Sequence, residues 1–179
     1  MDVSCFWRRT LSCLSGLVLF TVHDGTAAPR PSPTDADEYS VRAAIIVNLA
    51  RFALWSEPLG DQFAICVSGE PAFAAALSAA TQGKKIGDRP VRVQRLTAPV
   101  DEVDCRVLYI GRDERHVSDL LVRTSRGVLT ISDRSEFVQD GGHVRLFLRD
   151  QRLRFEINQQ AAERAGIKIP AQVMALSSR

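Results

Sequence analysis

The stretch FAICVSGEPAFAAALSAAT, residues 63–81, places a short apolar run directly before a longer alanine-rich one. The first part, Phe63 to Val67, has the length and composition of a buried strand. The second part predicts a helix, because it is rich in alanine and Pro71 suits a first helical turn. Gly83 then ends that helix. The stretch therefore predicts a strand followed by a helix, which is the repeating unit of an α/β sheet.

The same alternation continues along the chain. Val91 and Val93 alternate with polar residues, which predicts a second strand. The apolar run in CRVLYI, residues 105–110, predicts a third, and it is followed by an amphipathic helix over residues 112–125. Residues 127–133, GVLTISD, predict another strand. These features predict one α/β domain whose mixed, mostly parallel sheet is flanked by helices.

A longer helix precedes the first strand. From Asp37 onward the pattern becomes helical and continues to about Trp55, before Pro58 and Gly60 end it. Its large apolar residues recur at spacings of three and four, which predicts one apolar stripe along an amphipathic helix. The stripe consists of Val41, Ile45, Leu49 and Phe52, with Trp55 at its end.

The end of the chain has a different pattern. Residues 143–157 alternate apolar and charged side chains on either side of a turn near Asp150. This predicts a late antiparallel hairpin with one buried and one charged face. Asn158 is placed to cap a following helix and Gly166 to end it. Residues 170–176 predict a final short helix.

The N-terminus has the features of a signal peptide. Arg8 and Arg9 precede an apolar run over residues 11–22, which is shorter than the roughly 20 residues that span a bilayer. Small residues follow it, and we expect cleavage after Ala27. The predicted organisation is a signal peptide over residues 1–27, a flexible lead-in over 28–37 and the domain over 38–179. The alternative is that the segment stays in place as a membrane anchor.

Removal of the signal peptide simplifies the cysteine pattern. Of four cysteines, Cys5 and Cys13 leave with the signal, so Cys66 and Cys105 remain. In an oxidising compartment such a pair is usually a disulfide. A structural bridge between two core strands is the prediction, with a regulatory bridge or two free thiols as alternatives. The chain has no Cys-x-x-Cys motif, which argues against a thiol oxidoreductase.

Residues with catalytic potential are scarce after the signal peptide. His116 is predicted to lie on the exposed side of a helix, and His143 to be a turn residue beside a glycine pair. Asp113 and Glu114 suit a helix N-terminus whether or not they have a function. No spacing matches a metal site, a nucleophile elbow or a phosphate-binding loop. We therefore predict no enzyme activity, catalytic residue, metal ligand or cofactor, and the sequence assigns no ligand-binding residue.

Charge argues against nucleic acid as a partner. The formal net charge of the chain is only +2, with basic and acidic residues interspersed. A solvated surface explains this balance, and no basic block indicates phosphate binding.

Seven short motifs in a fixed order resemble the YfiR/HmsC-like family of periplasmic proteins. The first is an N-x-x-x-F-x-x-W pattern made by Asn48, Phe52 and Trp55 in the long helix. The remaining motifs extend the resemblance over residues 38–176. They are ICVSG at 65–69, CRVLYI at 105–110, GVLTISD at 127–133 followed by Phe137, GGHVRLF at 141–147, FEIN at 155–158 and AGIKIPAQVMALS at 165–177.

The resemblance implies a regulator that acts through a protein partner. Members bind the periplasmic domain of an inner-membrane diguanylate cyclase, hold it inactive, and so lower cyclic di-GMP and the output of biofilm and exopolysaccharide. It also implies a homodimer and sequestration of the repressor by an OmpA-like outer-membrane lipoprotein. Some members have a second cysteine pair near the late hairpin. This chain has none there, so any redox control would rest on Cys66 and Cys105. Ser56 also follows Trp55, where the family often has proline.

Another class of function stays open beside the regulator. A periplasmic sensory domain that binds a small molecule and feeds a signalling protein would have a mostly apolar pocket with a few convergent polar groups. A regulator would instead have an exposed apolar patch for its partner.

Overall fold

The computed structural model describes residues 33–58, 60–97, 104–124 and 126–177. The predicted signal peptide and the first residues of the lead-in lie outside this part of the chain. The helices are α1 Pro33–Phe52, α2 Pro71–Thr81, α3 Val117–Arg123, α4 Gln159–Arg164 and α5 Ala171–Met174. The strands are β1 Leu54–Trp55, β2 Phe63–Ser68, β3 Lys85–Ile86, β4 Arg89–Leu96, β5 Val107–Ile110, β6 Leu129–Ser132, β7 Val144–Arg149, β8 Arg152–Ile157 and β9 Ile167–Lys168.

The main sheet has seven strands in the order β3-β4-β2-β5-β6-β7-β8. Neighbouring strands from β4 through β7 pair in parallel, and the two outer pairs, β3–β4 and β7–β8, are antiparallel. A small antiparallel sheet joins β1 to β9. The predicted α/β class, the parallel centre and the late antiparallel hairpin are therefore confirmed.

Both faces of the main sheet are covered, as the side chains of β5 show. All four of its residues are buried. Val107 and Tyr109 join a large apolar cluster with α1 and α2, whereas Leu108 and Ile110 join a smaller cluster with α3. Because successive side chains of a strand point to opposite faces, an unbroken apolar run is what a sheet covered on both faces requires.

Helix α1 buries a different face from the one predicted. Val41 and Phe52 of the predicted stripe are about half exposed, at 50% and 49%. The buried residues of α1 include several alanines, whose small side chains let the helix backbone lie close to the sheet and α2. The buried apolar residues of α1 are Ala43, Ile46, Val47, Leu49 and Ala50, and the buried Ala53 directly follows the helix. The stripe prediction is thus wrong for Val41 and Phe52. Helix α1 also begins at Pro33, before the Asp37 at which the helical pattern was expected to begin.

The late hairpin extends past the sheet. Strand β6 pairs with β7 only through Ile131↔Val144 and Ser132↔Arg145, whereas β7 and β8 pair along their whole length. Asp150 and Gln151 form the two-residue turn with φ of 51° and 57°. Both values are positive, as a type I′ hairpin turn requires. We call residues 146–155 the hairpin arm.

Helix α4 begins and ends as predicted. The Asn158 side chain accepts a hydrogen bond from the backbone N–H of Ala161 at 3.0 Å, which caps the helix. Gly166 follows the helix with φ of +79°, the left-handed conformation common after a helix C-terminus.

Candidate functional site

The strand order reverses at the centre of the sheet, between β2 and β5. Strand β2 leads through α2 to β4 on one side, whereas β5 and the later strands lie on the other. In open α/β sheets, ligands bind in the crevice outside the carboxyl ends of the strands at such a reversal. The residues after β2 and β5 are therefore the first place to look for a site.

The chain's own residues occupy this crevice. Gly69 follows β2 with φ of +87°, and a Cβ there would lie 2.7 Å from the backbone nitrogen of Glu114. Gly111 follows β5, and a Cβ there would lie 2.7 Å from the Cβ of Glu70. Each glycine thus allows an acidic residue from the other loop to pack directly on its backbone. The two loops close the crevice against each other.

Arg42 of α1 enters the same edge of the sheet and lies at the centre of a polar cluster. Its Nη1 donates to both carboxylate oxygens of Glu70, each at 3.0 Å, and to the Tyr109 hydroxyl at 2.8 Å. Its Nη2 donates to Glu38 at 2.5 Å, one helical turn earlier. Arg42 is 3% exposed. A buried guanidinium requires such partners, because an unpaired buried charge is strongly unfavourable.

Three aromatic rings surround the guanidinium. Its Cζ lies 5.5 Å from the Tyr39 ring centre, 5.2 Å from that of Phe73 and 5.7 Å from that of Tyr109. All three distances are within the range of cation–π attraction. Rings and carboxylates together make a cage that binds α1 to the centre of the sheet.

Asp133, directly after β6, completes the cluster. Its Oδ2 lies 3.6 Å from Arg42 Nη2 and 2.7 Å from Arg112 Nε. The side chain of Asp133 is as buried as that of Arg42, whereas Arg112 is largely exposed. Asp133 Oδ1 and Arg42 Nε are buried without a hydrogen-bond partner. The cluster therefore links the carboxyl ends of β2, β5 and β6 through one arginine.

The two groups at its centre keep their protons near neutral pH. Burial opposes the charge of Arg42, but Tyr109, Glu70 and Asp133 and the bond to Glu38 hold its pKa above the ordinary value. Burial raises the pKa of Tyr109 above its ordinary range, so the hydroxyl can donate to Glu70 Oε2 at 3.1 Å. Neither group exchanges protons as a general acid or base at neutral pH would. The arrangement is that of a structural cage.

A second buried contact lies beside the cage. Ser68 Oγ donates to Glu114 Oε2 at 2.5 Å, and the backbone N–H of His116 donates to Glu114 Oε1 at 2.8 Å. Burial alone would raise the pKa of Glu114, but these bonds to the charged form lower it overall. Glu114 thus fixes the loop after β5 to the end of β2, in addition to its place before α3.

The two histidines lie in different environments. His116 is exposed before α3, as predicted, with Nδ1 3.8 Å from Asp119. His143 lies at a bend directly before β7, as predicted, but its side chain is buried and its Nδ1 accepts a hydrogen bond from the Thr130 N–H at 3.1 Å. Burial, with a contribution from the charge of Arg164, lowers the pKa of His143 to about 4. His143 is neutral at pH 7 and connects β6 to the start of β7.

The two cysteines that follow the predicted signal peptide lie together in the smaller core cluster. Cys66 of β2 and Cys105 before β5 are joined in a disulfide with a Cα–Cα distance of 5.9 Å. That distance is in the usual range for a bridge. Both cysteines are buried against Leu108, Leu120 and Phe137. Pairing in the exported protein stays a prediction, and this geometry is compatible with it.

The family of the chain follows from a comparison with known proteins. The model of the YfiR/HmsC-like family matches residues 39–178. This chain belongs to the YfiR/HmsC-like family. The match starts at Tyr39 of the cage and covers every described strand of the main sheet. No curated protein matches the chain.

Membership of this regulatory family fits an exported regulator better than an enzyme. In the part of the chain that the structure describes, no helix is both long and apolar enough to cross a membrane. Among the same residues, no three His, Cys, Asp or Glu side chains are grouped so that they could hold a metal ion.

The YfiR-like chain also exposes large apolar side chains, as a binding surface requires. Val41 and Phe52 lie eleven residues apart on α1, which places them on the same side of the helix. Leu54, two residues after Phe52, is 57% exposed. We call Val41, Phe52 and Leu54 the α1 surface. A contiguous patch of exposed apolar residues marks an interaction site, and these three residues are the place on α1 and just after it to test for one.

An open groove lies elsewhere on this YfiR-like domain. It has a volume of about 670 Å³ and runs between the end of β8, the start of α4 and α5. Polar side chains such as Glu156, Asn158 and Gln159 line it together with Ile157 and Met174. This mixed lining differs from the mostly apolar pocket expected of a small-molecule site.

The residues of the cage were not predicted, although a weak signal existed for each. Arg42 is the one charged residue within the apolar helical stretch from Val41 to Val47. Glu70 and Asp133 each come within two residues of the end of an observed strand, at the edge where sites in parallel sheets lie. The sequence does not show where α1 packs on the sheet, and it is this packing that brings Arg42 to that edge.

Proposed function

We propose that this chain is a periplasmic repressor that binds the periplasmic domain of an inner-membrane diguanylate cyclase and holds it inactive. Repression lowers cyclic di-GMP and, with it, biofilm and exopolysaccharide output. Membership of the YfiR/HmsC-like family, across residues 39–178, is the observation that carries the proposal. The predicted signal peptide supports it, because export would bring the domain to the compartment of that target.

Repression requires a difference in affinity between two cyclase states. A ligand that binds both states equally shifts nothing, whereas a shift from mostly active to mostly inactive requires about 5.5 kcal/mol of differential binding. Buried apolar anchors provide such energy more readily than exposed ion pairs do. The α1 surface is where we place those anchors.

The proposal includes two further partners that family resemblance implies. We expect the repressor to form a homodimer, and an OmpA-like outer-membrane lipoprotein to sequester it and so release the cyclase. Glu70 and Glu114 occupy the crevice between β2 and β5. The space left beside them has Arg95 in its lining and a volume of about 220 Å³, which is smaller than most small-molecule sites and supports a protein partner.

A deletion experiment tests the repressor. In a strain that expresses a competent membrane cyclase, deletion of the gene should raise cyclic di-GMP. A plasmid copy with residues 1–27 should restore the low level, and a copy without them should not. Unchanged cyclic di-GMP after deletion would refute the repressor and favour the ligand-binding alternative.

Matched variants test the location of the anchors. Phe52→Ser with Val41→Ser should fail to restore repression although the protein is folded and exported. Val122→Ser is the control, because Val122 is also apolar, lies on α3 and has a larger exposed fraction, 86%. Equal repression by both variants would exclude the α1 surface as the anchor without affecting the result of the deletion.

A further inference from the structure

The hairpin arm extends past the end of β6, and its tip is exposed. Only the first two residues of β7 pair with β6, so the remainder of the arm has backbone pairing only between β7 and β8. Its outer residues, including Arg149, Asp150, Gln151 and Arg152, are exposed. The inner part of the arm is packed on the domain, since Leu146 is buried and Leu153 and Phe155 lie against the core.

One face of the ribbon concentrates positive charge. Residues directly opposite each other in an antiparallel pair share a face, so the register defines that face. It contains the pairs Arg145↔Glu156, Phe147↔Arg154 and Arg149↔Arg152. Four arginines and one glutamate therefore lie on a single surface, in a chain whose net charge is only +2.

Only one of these arginines is neutralised by a described residue of the domain. Arg145 Nη1 forms an ion pair with Glu156 at 3.0 Å, and its Cζ lies 4.8 Å from the Phe147 ring centre. Arg149, Arg152 and Arg154 have no ion pair with any described residue. Arg149 and Arg152 are direct cross-strand neighbours, an arrangement that destabilises a hairpin.

The opposite face of the tip is apolar. Leu148 pairs with Leu153 there, and Leu148 is 55% exposed. The end of the arm thus has exposed leucine on one side and arginines on the other. This is the distribution of a segment that rests at a membrane interface, with apolar groups toward the acyl chains and cations toward the headgroups.

We propose that the hairpin arm binds the surface of an anionic phospholipid bilayer. The three unpaired arginines lie side by side on one exposed surface, because Arg149 is directly opposite Arg152 and Arg154 lies two residues further along the same face. Such a surface can contact several headgroups of a bilayer at once. An acidic protein segment would match the arginines, but the exposed Leu148 beside them favours a bilayer. This binding does not depend on the identity of the repressor's target.

Vesicle binding tests the proposal. The purified chain from residue 28 onward is mixed with vesicles of phosphatidylcholine alone or of equimolar phosphatidylcholine and phosphatidylglycerol, and binding is measured by co-sedimentation. We expect binding to the anionic vesicles only, weakening as salt is raised. Absence of binding to anionic vesicles, or equal binding to both compositions, would overturn the proposal.

Charge-matched variants locate the binding surface. Arg149→Gln, Arg152→Gln and Arg154→Gln together should weaken binding about 100-fold, since each basic residue near an anionic surface contributes roughly fivefold. The control removes the same charge from exposed positions elsewhere, through Arg92→Gln, Arg95→Gln and Arg115→Gln. An equal loss in both triple variants would mean that net charge, and not the arm, drives binding.

Two further measurements distinguish a bilayer from an acidic protein as the partner of the arm. Leu148→Ser should weaken vesicle binding severalfold while circular dichroism and thermal unfolding show a folded domain. Polyglutamate of equal charge concentration should compete poorly with the vesicles. Effective competition, or no effect of Leu148→Ser, would overturn the bilayer proposal in favour of an acidic protein partner.

Discussion

Arg42 Nη1 donates a 2.8 Å hydrogen bond to the hydroxyl of Tyr109, a residue 67 positions further along the chain. This bond joins the first helix to the central strand of the sheet. Glu70 accepts from both groups, so helix, strand and loop share one polar contact. The α1 surface, where we place the partner anchors, thus lies on a helix that this cage holds in position.

Loss of the guanidinium should destabilise the whole domain. Arg42→Met removes the cation that pairs with Glu70 and leaves the buried carboxylate of Asp133 with only the largely exposed Arg112 as its cation. We expect the free energy of unfolding in urea to fall by about 3–5 kcal/mol, as for other broken buried ion pairs. Adding Asp133→Asn should recover part of the loss, because it removes a buried charge whose remaining cation, Arg112, is largely exposed.

Arg112 provides the matched control. Its Nε also contacts Asp133, at 2.7 Å, but its side chain is 67% exposed. Arg112→Met should therefore change the free energy of unfolding by less than about 1 kcal/mol. Similar losses for Arg42→Met and Arg112→Met would mean that the contribution of each arginine to stability does not depend on its burial.

The cysteine pair should be fully oxidised in the exported protein. Thiol counting on denatured, unreduced protein should find no free thiol, and two free thiols would contradict the bridge. Cys66→Ala with Cys105→Ala should lower the free energy of unfolding by about 4 kcal/mol in the chain-entropy model for a separation of 39 residues. The reduced wild type, measured in the same buffer, is the control for the substitution itself.

Local sequence patterns were sufficient for most of the fold, but not for the cage. The strand and helix in residues 63–81 depend on apolar runs, alanine content and Pro71, all of which are local. The buried face of α1 depends instead on which side packs against α2 and the sheet. Alanines make that choice by their small size, so the larger residues Val41 and Phe52 misled a prediction based on apolar spacing.

Long-range contacts explain the other differences between the predicted and the observed structure. Arg42 has no polar environment within its own helix except Glu38, and its other partners come from β5 and the loops after β2 and β6. His143 follows two glycines, which indicates a turn, but Thr130 on β6 accepts and donates the hydrogen bonds that place it in the interior. Such partners become visible only when the strands are assembled.

The buried His143 should make stability depend on pH. Its pKa is about 4 in the folded protein, against an ordinary value of 6.5. Between these values the unfolded chain binds the extra proton, so stability is lost as pH falls from about 6.5 to 4. The expected loss from this group between pH 7 and pH 4 is about 3 kcal/mol.

A neutral substitute isolates the contribution of His143. In His143→Asn, the side-chain oxygen can still accept from Thr130 but does not titrate. Urea unfolding at several pH values should give the variant a shallower loss than the wild type between pH 7 and pH 4. Parallel curves would show that protonation of His143 is not coupled to unfolding.

A better turn sequence should stabilise the hairpin arm. Asp150 and Gln151 both have positive φ, a conformation that costs most side chains roughly 1–2 kcal/mol and glycine very little. Asn-Gly is the preferred sequence for such a turn. Asp150→Asn with Gln151→Gly should therefore raise the free energy of unfolding by about 0.5–1 kcal/mol, after allowance for the greater freedom of glycine in the unfolded chain.

Gln160→Gly is the control, because Gln160 is exposed within α4, where glycine should instead cost about 1 kcal/mol. Thermal and urea unfolding measure both variants, and a loss of stability from the Asn-Gly turn would mean that the tip does not have type I′ geometry in solution.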